Sequence, residues 1–156
     1  MQEIERKYLI ADESWREEVD RSMRIAQGYL CSRRVTARVR VCDDKGIITF
    51  KSKSRDGGLS RFEWEHEIPI GVAERLLARC EGVVDKVRHI VEYGGHTFEV
   101  DEFRGENEGL IVAEVELSSC DEDVALPSWV GEEVTGIRCF YNSFLTKHPF
   151  KSWAKK

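Results

Sequence analysis

Charged and apolar side chains alternate along much of the chain, and this period of two is the strongest constraint on its fold. Residues 3–7 read Glu-Ile-Glu-Arg-Lys, and residues 61–67 read Arg-Phe-Glu-Trp-Glu-His-Glu. Successive side chains of a β-strand point to opposite faces of the sheet, so each segment carries its charges on one face. The pattern predicts a sheet with one charged face and one largely apolar face.

Eight such segments, separated by turn residues, predict eight strands arranged mostly as meanders. They span residues 2–9, 24–30, 35–41, 47–53, 61–68, 85–93, 96–103 and 110–117. Gly94-Gly95 predicts a two-residue hairpin between the sixth and seventh strands. Helices are predicted at 12–21, 71–80 and 138–147. This is an α+β fold in one domain, residues 1–156, and eight meandering antiparallel strands could close into a barrel with the helices packed outside.

Acidic and basic residues separate between these strands. One solvated sheet face would explain a single strand, but a surface built for solubility usually mixes the two signs. On the other face, bulky residues such as Phe50, Phe62 and Trp64 indicate that helices cover it. On the charged face, the third, fourth and sixth strands carry Arg38, Arg40, Lys51, Lys53, Lys86 and Arg88, and the seventh and eighth carry Glu99, Asp101, Glu114 and Glu116.

In a closed sheet these charges would face inward, where unpaired charge is costly. A water-filled tunnel that binds a ligand with several negative charges would resolve the conflict. Phosphates are the commonest such ligands, and arginine offers them two-point contacts while lysine offers a point charge. The charge pattern therefore indicates a site for a phosphate compound.

Carboxylates in such a tunnel need a partner, since they would repel the anion. Glu3 and Glu5, like Glu114 and Glu116, are two residues apart on a strand, a separation of ~6.6 Å. Each pair can share a hard cation, and Mg²⁺ or Mn²⁺ usually takes one or two carboxylates with phosphate oxygens and water. The chain contains no GxxxxGK[ST] motif, so it is not a P-loop protein.

Composition excludes several other classes of function. The net charge of -5 argues against nucleic acid as a partner, and no apolar run is long enough to suggest a membrane partner. The five cysteines are far apart with no CxxC, and the N-terminus is too polar for a secretory signal, so the cytoplasm is the expected compartment. The sequence also allows a homodimer.

A series of short motifs resembles the CYTH superfamily, also called triphosphate tunnel metalloenzymes. EIERK (3–7) matches the ExExK signature of that family, and the whole resembles its short bacterial members from residue 2 to about 145. The accompanying motifs, in the order of the family, are QGYL (27–30), RVR (38–40), TFKSK (49–53), GGLSRFEWE (57–65), DKVR (85–88), FEVDEF (98–103), VAEVEL (112–117), GEEVTG (131–136) and Asn142.

The resemblance implies an eight-stranded antiparallel barrel whose tunnel binds triphosphate and a divalent metal, Mg²⁺ or Mn²⁺. Glu3, Glu5 and Lys7 are the implied catalytic residues, with the two glutamates holding a second metal or positioning the attacking water. The implied metal ligands are Glu3, Glu5, Glu114 and Glu116, supported by Glu63, Glu65 and Asp101. The implied substrate-binding residues are Lys7, Tyr29, Arg38, Arg40, Lys51, Lys53, Arg61, Lys86, Arg88 and Arg138.

The C-terminal motif departs from the family. The family often ends near DKRYxN, whereas this chain has GIRCFYN at 136–142. Arg138 occupies one basic position, and Cys139 stands where a second arginine is common. The resemblance still implies that Arg138 binds the substrate, although the residues on both sides of it differ from those common in the family.

The expected reaction is metal-dependent hydrolysis of a triphosphate, with inorganic tripolyphosphate as the preferred substrate and a terminal phosphate as the product. One alternative is a class IV adenylate cyclase, and another is a thiamine or nucleoside triphosphatase. The non-enzyme alternative is a polyphosphate-binding module, against which the acidic pairs argue, because anion binding alone does not require them.

Overall fold

The computed structural model describes residues 4–31, 35–52 and 62–153, which form an antiparallel sheet with a few short helices. The strands are β1 Ile4–Ile10, β2 Arg21–Cys31, β3 Val35–Cys42, β4 Lys45–Ser52, β5 Glu63–Ile68, β6 Val83–Tyr93, β7 His96–Phe103, β8 Ile111–Leu117 and β9 Val130–Glu133. The α-helices are α1 Ile70–Leu77 and α2 Asn142–Leu145, and short 3-10 helices span Glu13–Glu18, Gly105–Asn107, Arg138–Phe140 and Phe150–Ser152.

The strand order is β5-β4-β3-β2-β6-β7-β8-β1-β9. All eight predicted strands are present, and Gly94 and Gly95 turn the β6–β7 hairpin with positive φ angles of 59° and 80°. The prediction of an antiparallel sheet with few helices is confirmed. Closure into an eight-stranded barrel is not confirmed, because β5 and β9 are edge strands in the part of the chain that the structure describes.

Strand β9 was missing from the prediction. It pairs with β1 through Tyr8 opposite Glu133 and Ile10 opposite Val130. Its four residues are too few to show a period of two, and only the three-dimensional structure brings them beside β1. The edge of β1 is therefore occupied by β9 rather than by β5.

The apolar face of β1, β7 and β8 forms the main core. Tyr8, Phe98 and Val115 pack there against Trp15 and Trp129, and all five are at least 97% buried. Trp15 belongs to the 3-10 helix Glu13–Glu18, which replaces most of the helix predicted at 12–21. The predicted cover of this face is therefore confirmed for these strands.

Helix α1 covers β3 and β4 on the same side of the sheet. A Cβ atom at Gly46 would lie 2.7 Å from the Cβ of Ala73, so glycine at this position permits the close approach of the helix. The prediction that a cover extends over β5 is wrong, because Phe62 and Trp64 are 66% and 45% exposed. Helix α1 packs on β3 and β4 and leaves β5 uncovered.

The C-terminal segment lies on the charged side of the sheet. The helix predicted at 138–147 is divided into a 3-10 helix, Arg138–Phe140, and α2. Leu145 of α2 packs with Val84, Phe103 and Val112 in a second apolar cluster. No helix in the described ranges has the length and apolar character needed to cross a membrane.

Candidate functional site

The charged face of the sheet lines a cavity of about 990 Å³. Every strand from β1 to β8 contributes a side chain, since antiparallel pairing keeps residues of the same parity on one face. The predicted site residues that line it are Glu5, Lys7, Tyr29, Arg38, Arg40, Lys51, Glu63, Glu65, Lys86, Arg88, Glu114 and Glu116.

Two of the predicted residues that the structure describes, Asp101 and Arg138, do not line this cavity. Glu3, Lys53 and Arg61 lie outside the described residues. Asp101 is 1% exposed and lies behind the cavity wall, where it binds cations that line the cavity. Arg138 lines a neighbouring cavity of about 520 Å³, which shares Tyr29, Tyr141 and Ser143 with the first.

Strand register sets the order of charges on the first wall, formed by β1, β8, β7 and β6. Glu5 is opposite Glu116, and Lys7 is opposite Glu114. On the other side of β8, Glu99 is opposite Glu114. The register therefore brings two carboxylates opposite each other at Glu5–Glu116 and at Glu99–Glu114, and Lys7 and Arg88 offset part of this repulsion through their ion pairs with Glu114.

Arg88 is the centre of this first wall. Its guanidinium lies 2.7 Å from Glu99, 2.8 Å from Asp101 and 3.5 Å from Glu114. Burial alone would lower the pKa of Arg88, but the three carboxylates raise it above its ordinary value. Lys7 completes the network with a 3.0 Å ion pair to Glu114, so the cations of the first wall are largely neutralised by its own carboxylates.

Asp101 is the counter-ion of two cations. Its Oδ2 accepts hydrogen bonds from Lys86 Nζ at 2.7 Å and Arg88 Nη2 at 2.9 Å, and its Oδ1 accepts from Arg88 Nε at 2.8 Å. Burial would raise the pKa of Asp101, but the two cations hold it well below its usual value. These contacts give no support to the metal-supporting role predicted for Asp101.

Lys86 is fully buried, which lowers its pKa even though Asp101 opposes the shift. Its ammonium also donates to Asn142 Oδ1 at 3.2 Å. Asn142 begins α2, so this hydrogen bond fastens the C-terminal segment to the cavity wall. Tyr141 lies beside it, with its ring 5.3 Å from Lys7 Nζ.

The second wall, formed by β3, β4 and β5, is less well neutralised. Arg38 is 3.8 Å from Glu65, and Lys51 is 3.8 Å from Glu63, both long distances for ion pairs. The Nε atoms of Arg38 and Arg40 are buried and have no hydrogen-bond partner among the described residues. A buried donor without an acceptor is costly, so this wall is suited to an added anion.

Arg40 of the second wall is affected both by burial and by the positive charges near it. Burial lowers the pKa of Arg40, and the neighbouring cations Arg38 and Arg88 lower it further. Its Nη2 donates to a neutral acceptor, Gln27 Oε1, at 3.4 Å. A phosphate oxygen would reduce the repulsion between these cations and would accept hydrogen bonds from their unused donors.

Carboxylates on β1 and β8 suit a hard divalent cation. Glu5, Glu114 and Glu116 present oxygen ligands from two paired strands, and oxygen is what Mg²⁺ and Mn²⁺ prefer. Among the described residues, no three acidic, histidine or cysteine side chains form a ready-made metal cluster. Glu114 is engaged by Lys7 and Arg88. The donor chemistry therefore fits a metal that arrives with phosphate oxygens as further ligands.

Several lining residues were missed by the sequence prediction of site residues. Thr36, Thr97 and Glu99 share the parity of predicted residues on the same strands, so the alternation contained the signal. Tyr141 and Ser143 had no such signal, because they lie in irregular and helical structure far along the chain from the strands. The lining residues absent from the predicted set are Thr36, Ser52, Thr97, Glu99, Tyr141, Asn142 and Ser143.

Comparison with known proteins gives consistent results over nearly the whole chain. The inorganic triphosphatase of Acetivibrio thermocellus is 41% identical, with 97% of each chain covered. That of Nitrosomonas europaea is 35% identical, covering 93% of this chain and 97% of the relative. The crystal structure of the inorganic triphosphatase NE1496 is 30% identical, with a TM-score of 0.71 and coverage of 94% and 95%. The CYTH domain matches residues 1–142, and the chain belongs to the CYTH domain family.

Proposed function

We propose that this chain hydrolyses inorganic triphosphate and releases a terminal phosphate, with Mg²⁺ or Mn²⁺ as cofactor. The observation that carries the proposal is the excess of positive charge on the second wall, where the Nε donors of Arg38 and Arg40 are buried without an acceptor in the part of the chain that the structure describes. The two relatives named inorganic triphosphatase support the choice of substrate.

The phosphate chain would lie between the two walls. Arg38, Arg40 and Lys51 would bind its oxygens from the second wall, and Lys7 and Arg88 would bind from the first. Cations fixed before the substrate arrives stabilise the charge that develops on the transferring phosphoryl and leaving groups. Binding and transition-state stabilisation would therefore come from the same side chains.

Glu114 and Glu116, with Glu5 on the paired strand, would hold the divalent cation. When bound, it would screen the phosphate charge and lower the pKa of a coordinated water. The carboxylate of Glu5 would also orient the attacking water, as would that of Glu3, which lies outside the described residues. Lys7, paired with Glu114 at 3.0 Å, would turn to the phosphate once Glu114 binds the cation.

We extend the proposal to the form of the site. Glu63 and Glu65 of the edge strand β5 line the same cavity as Glu5 of β1, which supports a sheet that surrounds the substrate as a closed tunnel.

The proposed unit is a single domain. Among the described residues, Cys42, Cys120 and Cys139 are not in disulfide bonds, which supports a reducing compartment such as the cytoplasm.

A nucleoside triphosphate is the second candidate substrate. The neighbouring cavity adjoins the first at Tyr29 and Tyr141 and also contains Phe144 and Arg138, so aromatic rings and a cation lie where a base could stack. A panel of inorganic triphosphate, ATP, thiamine triphosphate and pyrophosphate, assayed for phosphate and cyclic AMP, separates the candidates. Cyclic AMP as the main product would contradict the hydrolase proposal.

The role of the second wall is tested with Lys51→Ala and the matched control Lys45→Ala. Both lysines are on β4, but Lys51 lines the cavity and Lys45 is exposed outside it. Steady-state release of phosphate from inorganic triphosphate should show a KM raised roughly tenfold for Lys51→Ala. The control should keep the KM of the unchanged chain, and equal effects in both variants would remove Lys51 from the site.

The role of the metal is tested by removing it and by Glu116→Gln. Phosphate release should stop in excess chelator and return when Mg²⁺ or Mn²⁺ is added. Glu116→Gln should require a higher metal concentration for half-maximal rate, whereas Glu92→Gln, outside the cavity on β6, should not. Equal rates with and without chelator would contradict a metal-dependent reaction.

A further inference from the structure

Gln27 lies in the middle of β2 and is 1% exposed. It is opposite Arg40 of β3 in the strand register, and Tyr29 follows it on the same face. A buried amide needs partners for both its oxygen and its nitrogen. Here both partners are residues that line the cavity.

The two ends of the amide are used differently. Arg40 has only donors, so it must face the amide oxygen, and its Nη2 donates to Gln27 Oε1 at 3.4 Å. The amide nitrogen therefore faces Tyr29 and donates to its Oη at 2.9 Å. Since the Tyr29 oxygen accepts this hydrogen bond, its own hydrogen is available to donate into the cavity.

Tyr29 remains a donor at neutral pH. Burial raises its pKa, and the nearby cations Arg38 and Arg40 only partly offset that shift. The phenol therefore stays protonated where a phosphate oxygen would accept its hydrogen. Gln27 thus directs one neutral donor and one cationic donor toward the same space.

The neutrality of Gln27 matters as much as its hydrogen bonds. A carboxylate at this position would form an ion pair with Arg40 and cancel its charge, as Asp101 does for Lys86 and Arg88 on the first wall. An amide instead holds Arg40 with a weaker bond and leaves its full charge. A carboxylate would also accept the Tyr29 hydroxyl hydrogen and turn that donor away from the cavity.

We propose that Gln27 is a positioning residue that holds Arg40 and Tyr29 toward the phosphate chain while leaving the charge of Arg40 uncompensated. The inference rests on the proposed function and deepens it. It names a residue that need not touch the substrate and yet sets the affinity of the second wall for it.

The test is titration calorimetry with inorganic triphosphate in buffer without divalent metal, so that binding is measured without turnover. Gln27→Glu should weaken binding roughly tenfold to a hundredfold, because Arg40 becomes neutralised and Tyr29 redirected. Gln27→Met, which keeps the length but removes the hydrogen bonds, should weaken binding severalfold. Ser22→Ala, on the same strand with its hydroxyl bonded to His89 outside the cavity, should bind like the unchanged chain.

A double-variant cycle separates positioning from a purely structural role. In a chain that also carries Arg40→Met, Gln27→Glu should have a clearly smaller effect on binding, because the charge that it would cancel is absent. If the effects of the two substitutions on the binding free energy are fully additive, Gln27 does not act through Arg40 and the inference is overturned. Urea unfolding shows which variants fold, and if Gln27→Glu does not fold, the cycle is carried out with Gln27→Met.

The outcomes distinguish this inference from the proposed function. If the unchanged chain does not bind inorganic triphosphate, the proposed function fails, and the inference fails with it. If the unchanged chain binds and Gln27→Glu binds equally well, the inference alone is overturned. A lower melting temperature with unchanged affinity would assign Gln27 to stability rather than to positioning.

Discussion

Asp101 shows how a single buried residue connects stability to the site. Its two oxygens accept three hydrogen bonds from Lys86 and Arg88, and the residue is 1% exposed. Parity along β7 predicts that Asp101 faces the charged side, and this is correct. The alternation along β7 does not predict which cation pairs with Asp101, because the partners of a long side chain depend on the register between neighbouring strands.

Asp101→Asn should therefore destabilise the chain by about 3–5 kcal/mol at pH 7, because the fully buried Lys86 loses its carboxylate partner and Arg88 loses one of three. The pKa of Asp101 is lowered in the fold, so its stabilising effect is complete above its ordinary value of 3.8 and is lost as the pH falls through the folded value. Urea unfolding at pH 7 and pH 3 measures this, and the difference between the two chains should narrow at the lower pH.

Glu92→Gln is the matched control, since Glu92 is exposed on the neighbouring strand β6, where its carboxylate accepts a hydrogen bond from the Thr97 hydroxyl at 2.9 Å and, among the described residues, pairs with no buried cation. A change within about 0.5 kcal/mol is expected for it. A pH-independent loss in Asp101→Asn would indicate that shape rather than charge explains its effect.

At the scale of elements, the strands were more predictable than the helices. Alternation over six to eleven residues identifies a strand without knowledge of its neighbours, and Gly94-Gly95 identifies the hairpin through its backbone freedom. The positions of the short helices depend on the surface of the sheet that each of them covers. Helix α1 exists beside β4 because Gly46 leaves room for Ala73, a contact that no local pattern reveals.

Gly46→Ala should cost about 1–3 kcal/mol of stability, because its Cβ would lie 2.7 Å from Ala73 Cβ and 2.8 Å from the backbone oxygen of Ile68. Gly71→Ala, within α1 itself, is the matched control. Among the described residues, no atom beyond the backbone of α1 itself lies within 4 Å of a Cβ there, and alanine favours helix over glycine, so a gain of up to about 1 kcal/mol is expected. Denaturant unfolding of both variants tests the pair, and a loss of similar size in both would contradict the close packing of α1.

At the scale of the whole molecule, charge is concentrated where the substrate would bind. The cations of the first wall are neutralised by its own carboxylates, while Arg38 and Arg40 of the second wall repel each other in the absence of an anion. A ligand that binds the folded chain stabilises it by mass action. A multivalent anion should therefore stabilise this fold more than a small one does.

Inorganic triphosphate at one hundred times its dissociation constant should add about 2.7 kcal/mol of stability. For a chain of 156 residues this raises the melting temperature by roughly 5–10 °C. Thermal unfolding without divalent metal measures the shift. Orthophosphate at the same ionic strength is the control, and an equal shift with orthophosphate would indicate general salt stabilisation instead of a site for a phosphate chain.

The strands, the parity of their side chains and the segregation of charge follow from the amino-acid sequence alone, because a period of two is a local property of each segment. The resemblance of its motifs to the CYTH superfamily is likewise a property of the sequence. In contrast, the pairing of β9 with β1, the role of Asp101 as a counter-ion, the position of Arg138 in a second cavity and the contacts of Gln27 with Arg40 and Tyr29 become visible only in the folded chain. Each of these depends either on contacts between residues far apart along the chain or on which of several nearby partners a side chain contacts. Those contacts are fixed only when the sheet has formed and the side chains are buried.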